Sequence, residues 1–536
     1  MHFEQAFILL FAIATAVAIA ARFFRIPYTV ALVLAGLILG VAHAFEPPHL
    51  TKELLFAIIL PGLVFEAAFH LEFRQFWKNK LAIHSLAVPG VVASIWLTAA
   101  ILTPVVDGLD FVQGFSFIHA LVFASIIVAT DPIAVVSLFK NLGAPKRLAV
   151  LVEGESLLND GTGVVIFTLV LGVATGGSFT LAGAVLEFVK VAGMGALIGG
   201  VVGYTLSQLI RRIDDATVEI TLTVIAAYGS FVAAEHFHYS GVIATVVSGM
   251  VCGNWAAHVG MSPTTRVAVE SFWEYLAFAL NSVVFLLIGL EVQLGSLLAS
   301  WKPILVGFVA VVAGRTLVVF AVSALLRPTS ERVPWSWSAV LTWSGLRGAI
   351  SMVLALSLPA DFPYRELLIN MTFGVVVLSI IVQGLSMAPV LRRLGVTGLL
   401  DVYQGKYELA RGRLSSAVAA LSALQGMRSE RTALGEVLED LERDYQRKIS
   451  TAETELRALQ QQSSRFREEE QQEAIRRMLV VEKEALIKDF QKGVIGKETF
   501  EHLVAEVDAR MEKAKLEEAP PQATPPPAEE PGPAKA

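Results

Sequence analysis

The chain has one cysteine, Cys252, in 536 residues, which excludes an intrachain disulfide and a cysteine-ligated zinc site. Charge is scarce too. Asp, Glu, Lys and Arg make up 17% of the residues against 54% hydrophobic, and the mean hydropathy is +0.62. A soluble domain of this length would not be so apolar, so the composition describes an integral membrane protein whose first partner is the lipid bilayer. Catalytic signatures are missing: there is no HExxH and no GxSxG, and Gly496-Lys497 is followed by Glu498 without the upstream glycine of a phosphate loop. Neither an enzyme nor an organic cofactor is expected, and no nucleic-acid partner. Without an ATP site, transport has to draw on a gradient. The opening Met1-His2-Phe3-Glu4 lacks a basic n-region, which makes the first apolar run a retained span.

What the chain does have is a succession of apolar runs, near 5–21, 28–45, 53–71, 82–106, 115–139, 148–175, 180–210, 217–235, 239–256, 270–292, 303–326, 335–358 and 366–391. Each is long enough to cross a bilayer, and they number 13. An odd count puts the termini on opposite sides, and the basic residues choose which. With the N-terminus outside, the inner loops carry fifteen lysines and arginines, and the outer loops only Lys52, Lys302 and Arg365. That asymmetry makes the C-terminus cytoplasmic. The fold class expected for residues 1–400 is an all-α polytopic membrane domain of about 13 transmembrane helices.

Several ionisable residues fall inside these runs. At a rise of 1.5 Å per residue, Arg315 and Arg347 lie about 18–20 Å from a membrane face, and Asp131 and Asp160 about 13–20 Å from the inner one. Charge at that depth is costly and by default marks an ion path or a proton relay. Stepping 100° per residue from Asp160 places Ser156 beside it, with Asn159 and Glu155 on the adjoining face and Leu157 and Leu158 turned away. One helix face therefore carries a hydroxyl, an amide and two carboxylates where water is scarce. This is the outline of a cation site.

Two spans carry interruptions. Pro132 clashes with the preceding turn and pushes Asp131 out of the α region, so the fifth span is expected to break at Thr130-Asp131 and to free carbonyls, Thr130's among them. The twelfth has Gly345-Leu346-Arg347-Gly348. Free carbonyls are tolerated at this depth only where they line a cavity or bind something. Broken helices in matching places of two halves point to an inverted repeat with the binding site at the breaks.

Each candidate has a structural reading beside its functional one. Asp160 and Asp131 would otherwise form buried ion pairs, a reading their depth disfavours. A buried carboxylate is neutralised by a proton or by a cation, so the two compete for the same oxygens of Asp160. Asp131, Ser156 and the Thr130 carbonyl complete an oxygen shell suited to a hard cation. Glu155 is expected instead to pair with an intramembrane arginine, Arg315 ahead of Arg347, because a lone buried charge is destabilising. Asn159 hydrogen-bonds into that cluster. Glu66 stands evenly between a structural role and one in access or gating. Glu187 and Glu219 are expected at a membrane face without a role. The glycine-rich stretch 195–203 allows close helix approach.

After Gly398 the apolar character stops. Residues 401–536 hold 21 basic and 26 acidic residues. Leu434, Leu438, Leu441, Tyr445, Ile449, Ala452, Leu456 and Leu459 recur at spacings of three and four, a seam suited to pairing with itself or folding back on the membrane domain. A short helix beyond Gly496 is expected to end near Glu518, and Pro520–Ala536 is expected to be disordered. The division is then 1–400 membrane domain, 401–518 helical tail with an unassigned partner, and 519–536 disordered C-terminus.

Thr130-Asp131-Pro132, Glu155-Ser156-Leu157-Leu158-Asn159-Asp160, Gly314-Arg315 and Gly345-Leu346-Arg347-Gly348-Ala349, in this order, resemble the monovalent cation/proton antiporters of the sodium/proton exchanger type, including NhaP-like proteins. Pro61 to His70 is similar to the family's third-span motif. The Asn159-Asp160 pair resembles the electroneutral branch. The resemblance implies a homodimer, a mobile core holding the two crossed, broken spans, and exchange of one sodium or lithium ion for one proton by a vertical movement of that core. It implies Asp160, Asp131, Ser156 and Thr130 as ion ligands, and Glu155, Asn159, Arg315 and Arg347 as the stabilising network. Potassium in place of sodium is compatible with the same oxygens, and a non-transporting cation or pH sensor signalling through the tail is the alternative from another class. The compact loops and the resemblance point to a bacterial inner membrane.

Overall fold

The computed structural model describes residues 3–24, 27–42, 55–108, 112–177, 180–213, 215–291, 294–396, 399–429 and 435–462, with scattered positions up to 510. Among the described residues every regular element is helical and no strand occurs. The chain falls into two compact units, Met1–Leu399 and Leu400–Ala536.

In the first unit the helices follow the apolar runs. α1 (Phe3–Phe24) and α2 (Tyr28–Val41) are followed, after a π turn at Leu55–Ile59, by α3 (Leu60–His70). Next come the short α4 (Phe73–Lys78), α5 (Lys80–Ala87) and α6 (Pro89–Gly108). α7 (Phe117–Ile127) and α8 (Ile133–Leu142) share one apolar run, and α9 (Lys146–Ala174) follows. α10 (Leu181–Ile210), α11 (Ala216–His236), α12 (Gly241–Val251), α13 (Pro263–Glu291), α14 (Leu294–Ala299) and α15 (Trp301–Leu325) come next. α16 (Trp335–Trp343) and α17 (Ala349–Leu356) divide another run, and α18 (Arg365–Leu378) and α19 (Gly384–Arg393) close the unit. Seven of the described helical stretches are long and apolar enough to cross a bilayer unaided.

Small residues set the spacing of the helices. Gly195, Gly199 and Gly203 recur every fourth position, so they form one face of α10. A Cβ at Gly203 would stand 3.0 Å from the Ser248 Cα on α12, and one at Gly195 2.7 Å from the Ser240 carbonyl oxygen. Only glycine lets these backbones come so close.

α9 positions the site. Leu148, Leu151, Val152 and Leu157 join one apolar cluster with α5 and α16, whereas Phe167 joins another built from α2, α7, α13, α17 and α18. The polar stretch 155–160 lies where α9 passes from one cluster to the other.

Glu219, expected at a membrane face, is fully buried among its neighbours in the first turn of α11. It belongs to a buried stripe with Leu222, Thr223 and Ala226, whose spacing of three to four keeps it on the inward side of the helix. Glu187, in contrast, lies on an exposed face of α10, 3.8 Å from Lys190.

The second unit contains α20 (Leu399–Ser429) and α21 (Gly435–Gln462). Leu456 of the α21 seam shares a buried cluster with Tyr407 and Ala410 of α20, flanked by Leu414 and Leu459. The seam therefore pairs with the preceding helix, while Leu441 on it stays 41% exposed. Leu434 and the segment 511–536 lie outside the described residues.

Candidate cation-binding site

The two interrupted runs are built around the same device, a stretch of non-helical backbone between half-helices. α7 ends at Ile127 and α8 starts at Ile133, because Pro132 has no N–H to continue the ladder. α16 ends at Trp343 and α17 starts at Ala349, across Gly345 and Gly348. The breaks touch. The Asp131 N–H donates to the Leu346 carbonyl at 2.7 Å. A Cβ on Gly348 would lie 2.7 Å from the Asp131 Cβ, so the second break needs a residue without a side chain where it meets the first.

Each break leaves carbonyls without their helical donors. Val128 would be served by residue 132, a proline; Arg347 Nη1 donates to its carbonyl at 2.6 Å instead, with Ala129 at 3.4 Å. Leu341 would be served by residue 345, inside the second break; Arg315 donates to its carbonyl from Nε at 3.2 Å and Nη2 at 3.0 Å. The Ile133 N–H, freed at the start of α8, donates to Asp131 Oδ1 at 2.9 Å. Among the described residues the Thr130 carbonyl accepts no hydrogen bond.

The α9 face supplies the remaining groups. Glu155 receives Arg315 on both oxygens, Nη1 to Oε1 at 3.0 Å and Nη2 to Oε2 at 2.8 Å. The paired geometry is the strongest form of this contact, and Glu155 is 3% exposed. Asn159 Nδ2 donates to Glu155 Oε1 at 2.9 Å and to Thr130 Oγ1 at 2.7 Å, while its Oδ1 accepts from the Thr130 N–H at 3.3 Å. Thr130 Oγ1 and Ser156 Oγ are 2.9 Å apart. Asp160 is different. Its Oδ1 is buried with no hydrogen-bond partner among the described residues, within electrostatic reach of Asp131 and Glu155.

Eight of the nine singled-out residues thus converge where the breaks meet: Thr130, Asp131, Glu155, Ser156, Asn159, Asp160, Arg315 and Arg347. Glu66 is placed on α3 one turn from His70, with the imidazole Nδ1 3.4 Å from its carboxylate. Sequence reasoning missed Leu341, which anchors Arg315 through its carbonyl, and Ser379, whose hydroxyl accepts the Arg347 N–H at 3.0 Å. The break itself announces that the Leu341 carbonyl is free; no pattern points to Ser379. Tyr28 was missed as well. It lies within electrostatic reach of Asp131 and stacks on Phe278 at a centroid distance of 5.4 Å, with its hydroxyl donating to the Phe278 carbonyl at 3.3 Å.

Residues 8–393 match the family described as "Sodium/hydrogen exchanger, transmembrane". The chain belongs to the sodium/hydrogen exchanger family. It is 36% identical over 466 residues to the Na(+)/H(+) antiporter ApNhaP of Aphanothece halophytica, covering 84% of this chain and 88% of the relative. It is 35% identical over 537 residues to the Na(+)/H(+) antiporter NhaG of Bacillus atrophaeus, covering 96% of each. The low-affinity Na(+)/H(+) antiporter NhaS1 of Synechocystis is 40% identical over 380 residues, 70% of this chain and 71% of the relative. The fold is similar to that of the sodium proton antiporter MjNhaP1 from Methanocaldococcus jannaschii, with a TM-score of 0.58 at 17% identity over 75% of this chain and 97% of that one. The exchanger is accordingly an integral membrane protein and not an enzyme, and its crossed breaks lie inside the matched region.

Proposed function

We propose that this exchanger moves one sodium or lithium ion against one proton, at a single site formed by Asp160 and Asp131 with Ser156 and Thr130. The observation that carries the reading is the buried Asp160 Oδ1, which has no hydrogen-bond partner among the described residues, beside a Glu155 carboxylate that Arg315 and Asn159 hold. A buried acceptor in that state is costly unless a proton or a cation occupies it. Counting charge at the crossing supports the stoichiometry. Three carboxylates, Asp131, Glu155 and Asp160, face two guanidiniums, Arg315 and Arg347. One negative charge is left over, which one monovalent cation or one proton neutralises, so exchange moves no net charge.

Ligation divides by chemistry. Asp160 supplies the exchangeable charge, Asp131 and the Thr130 carbonyl supply further oxygens, and the Ser156 hydroxyl turns from Thr130 toward the ion. Glu155, Arg315 and Asn159 fix the α9 face, and Arg347 fixes the first break. Glu66 lies on a route to the site as an access residue. The exchanger works by alternating access, as a homodimer whose core carries the crossed breaks of an inverted repeat past a fixed scaffold. The N-terminus faces outside and the C-terminus the cytoplasm of a bacterial inner membrane. Residues 1–400 carry the exchange, and 401–518 form a regulatory helical tail followed by the disordered 519–536.

The test is cation-dependent proton movement in proteoliposomes, with sodium, lithium and potassium compared. Sodium- and lithium-driven movement that Asp160→Asn abolishes, and that clamping the membrane potential leaves unchanged, is expected. Normal transport by Asp160→Asn would overturn the site. Potassium preference would change the substrate while keeping the mechanism.

A further inference from the structure

Three loops of the first unit are stitched together beneath α5 and α9. Asn79, which precedes α5, accepts a hydrogen bond from Arg147 Nε at 2.7 Å, and Arg147 Nη2 donates to the Arg332 carbonyl at 3.2 Å. Glu331, 7% exposed, turns inward and accepts the Ala82 N–H at 2.9 Å. Segments 72–80, 140–147 and 326–337 therefore meet around Asn79. Together they carry eight lysines and arginines against two acids, Glu72 and Glu331. With Glu331 buried, Glu72 alone offsets the exposed positive charge.

Aromatic rings border this charge. Trp77, Phe73 and Trp335 are 52%, 45% and 42% exposed. Phe73 stacks on Trp77 with 5.6 Å between centroids, and Lys80 Nζ sits 4.4 Å over the Trp77 ring. The Arg327 guanidinium sits 4.3 Å over Trp335, which stacks on Phe320. Exposed tryptophans beside cations belong at a membrane–water boundary, where one edge of the ring meets hydrocarbon and the other headgroups.

The geometry points to this knot as a binding site for an anionic phospholipid of the adjoining leaflet, the cytoplasmic one on the positive-inside reading. Arg74, Lys78 and Lys80 face the phosphate-bearing headgroup, and Phe73, Trp77 and Trp335 pack against the glycerol and upper acyl region. The aromatic border selects a lipid over a free phosphate, which has nothing to place against three exposed rings. The knot joins α5 to α9, which carries Glu155 and Asp160, and to the loop linking α15 to α16. A bound lipid thus braces the helices whose deeper turns form the site.

The experiment is native mass spectrometry of the full chain with phosphatidylglycerol and phosphatidylcholine of identical acyl chains in competition. The wild type is expected to retain phosphatidylglycerol preferentially. Arg74→Gln/Lys78→Gln/Lys80→Gln is expected to lower that preference about fivefold or more, since it removes the basic groups set against the anionic headgroup. Lys78→Arg/Lys80→Arg is expected to keep it, as is Arg211→Gln/Arg212→Gln in the loop between α10 and α11. If the triple variant does not purify folded, Lys78→Gln/Lys80→Gln replaces it with the same expectation. Equal retention of both lipids by the wild type would overturn the proposal. So would equal losses in the knot and control variants, which would mean general surface charge, or displacement of the lipid by glycerol phosphate. Unchanged lipid preference in the folded glutamine variants of the knot would overturn it too.

Discussion

Asp160 and Glu155 lie little more than a turn apart on α9, yet only Glu155 has a guanidinium against it. The separate roles proposed for them rest on that difference. Removing one partner of the Glu155–Arg315 pair strands a buried charge, so Glu155→Ala and Arg315→Met should each lower stability by about 3–5 kcal/mol, while the double substitution should cost less than the sum. Thermal unfolding of the four proteins in detergent reads this; additive losses would mean the pair is not coupled. Gly348 offers a finer probe. An added methyl would lie 2.7 Å from the Asp131 Cβ and 3.2 Å from its Oδ2. Crowding of this kind costs about 1–3 kcal/mol, so Gly348→Ala should weaken sodium binding about tenfold, seen as a raised KM for sodium-driven proton flux. A normal KM would show that the contact relaxes harmlessly. Asp131, Glu155, Asp160, Arg315 and Arg347 were legible in the sequence because charge inside an apolar run is conspicuous. Ser379 and Tyr28 were not, since a serine and a tyrosine in a span have many uses and only the fold aims them.

At the scale of the elements, the two broken runs explain the arginines. Pro132 removes the donor that the Val128 carbonyl would have used, and Arg347 fills its place from the other break. Pro132→Ala restores that donor and lets α7 and α8 join. The joined helix would withdraw the Val128 carbonyl from Arg347 and turn the Asp131 N–H away from Leu346. Sodium-driven proton flux is expected to fall at least about tenfold, an effect on the order of 1.4 kcal/mol, with little loss of thermal stability. Unchanged flux would mean that the break persists without proline. Both breaks were foreseeable from Pro132 and the Gly345–Gly348 spacing. Their contact was not, because residues 131 and 346 are far apart in the chain and no local signal pairs them. The seam on α21 shows the same limit: its spacing predicts an apolar stripe, but packing on α20 decided the partner.

At the scale of the whole molecule, the chain divides at Leu399, and all residues of the site lie in the first unit. A chain ended after Leu399 should therefore keep sodium-driven proton flux of the same order in proteoliposomes; complete loss from a folded, inserted protein would make the second unit part of the transport machinery. The sequence by itself determined that this is a polytopic helical membrane protein, where its spans break, and which acids and arginines fall inside apolar runs. Apolar length, proline, glycine and buried charge are local properties, readable residue by residue. Only the tertiary structure decided that Arg315 takes Glu155, that Arg347 serves Val128, that Glu219 is buried, and that one oxygen of Asp160 has no donor among the described residues. Those outcomes depend on which helices meet and at what distance, and a buried polar group is satisfied or stranded by its neighbours in space.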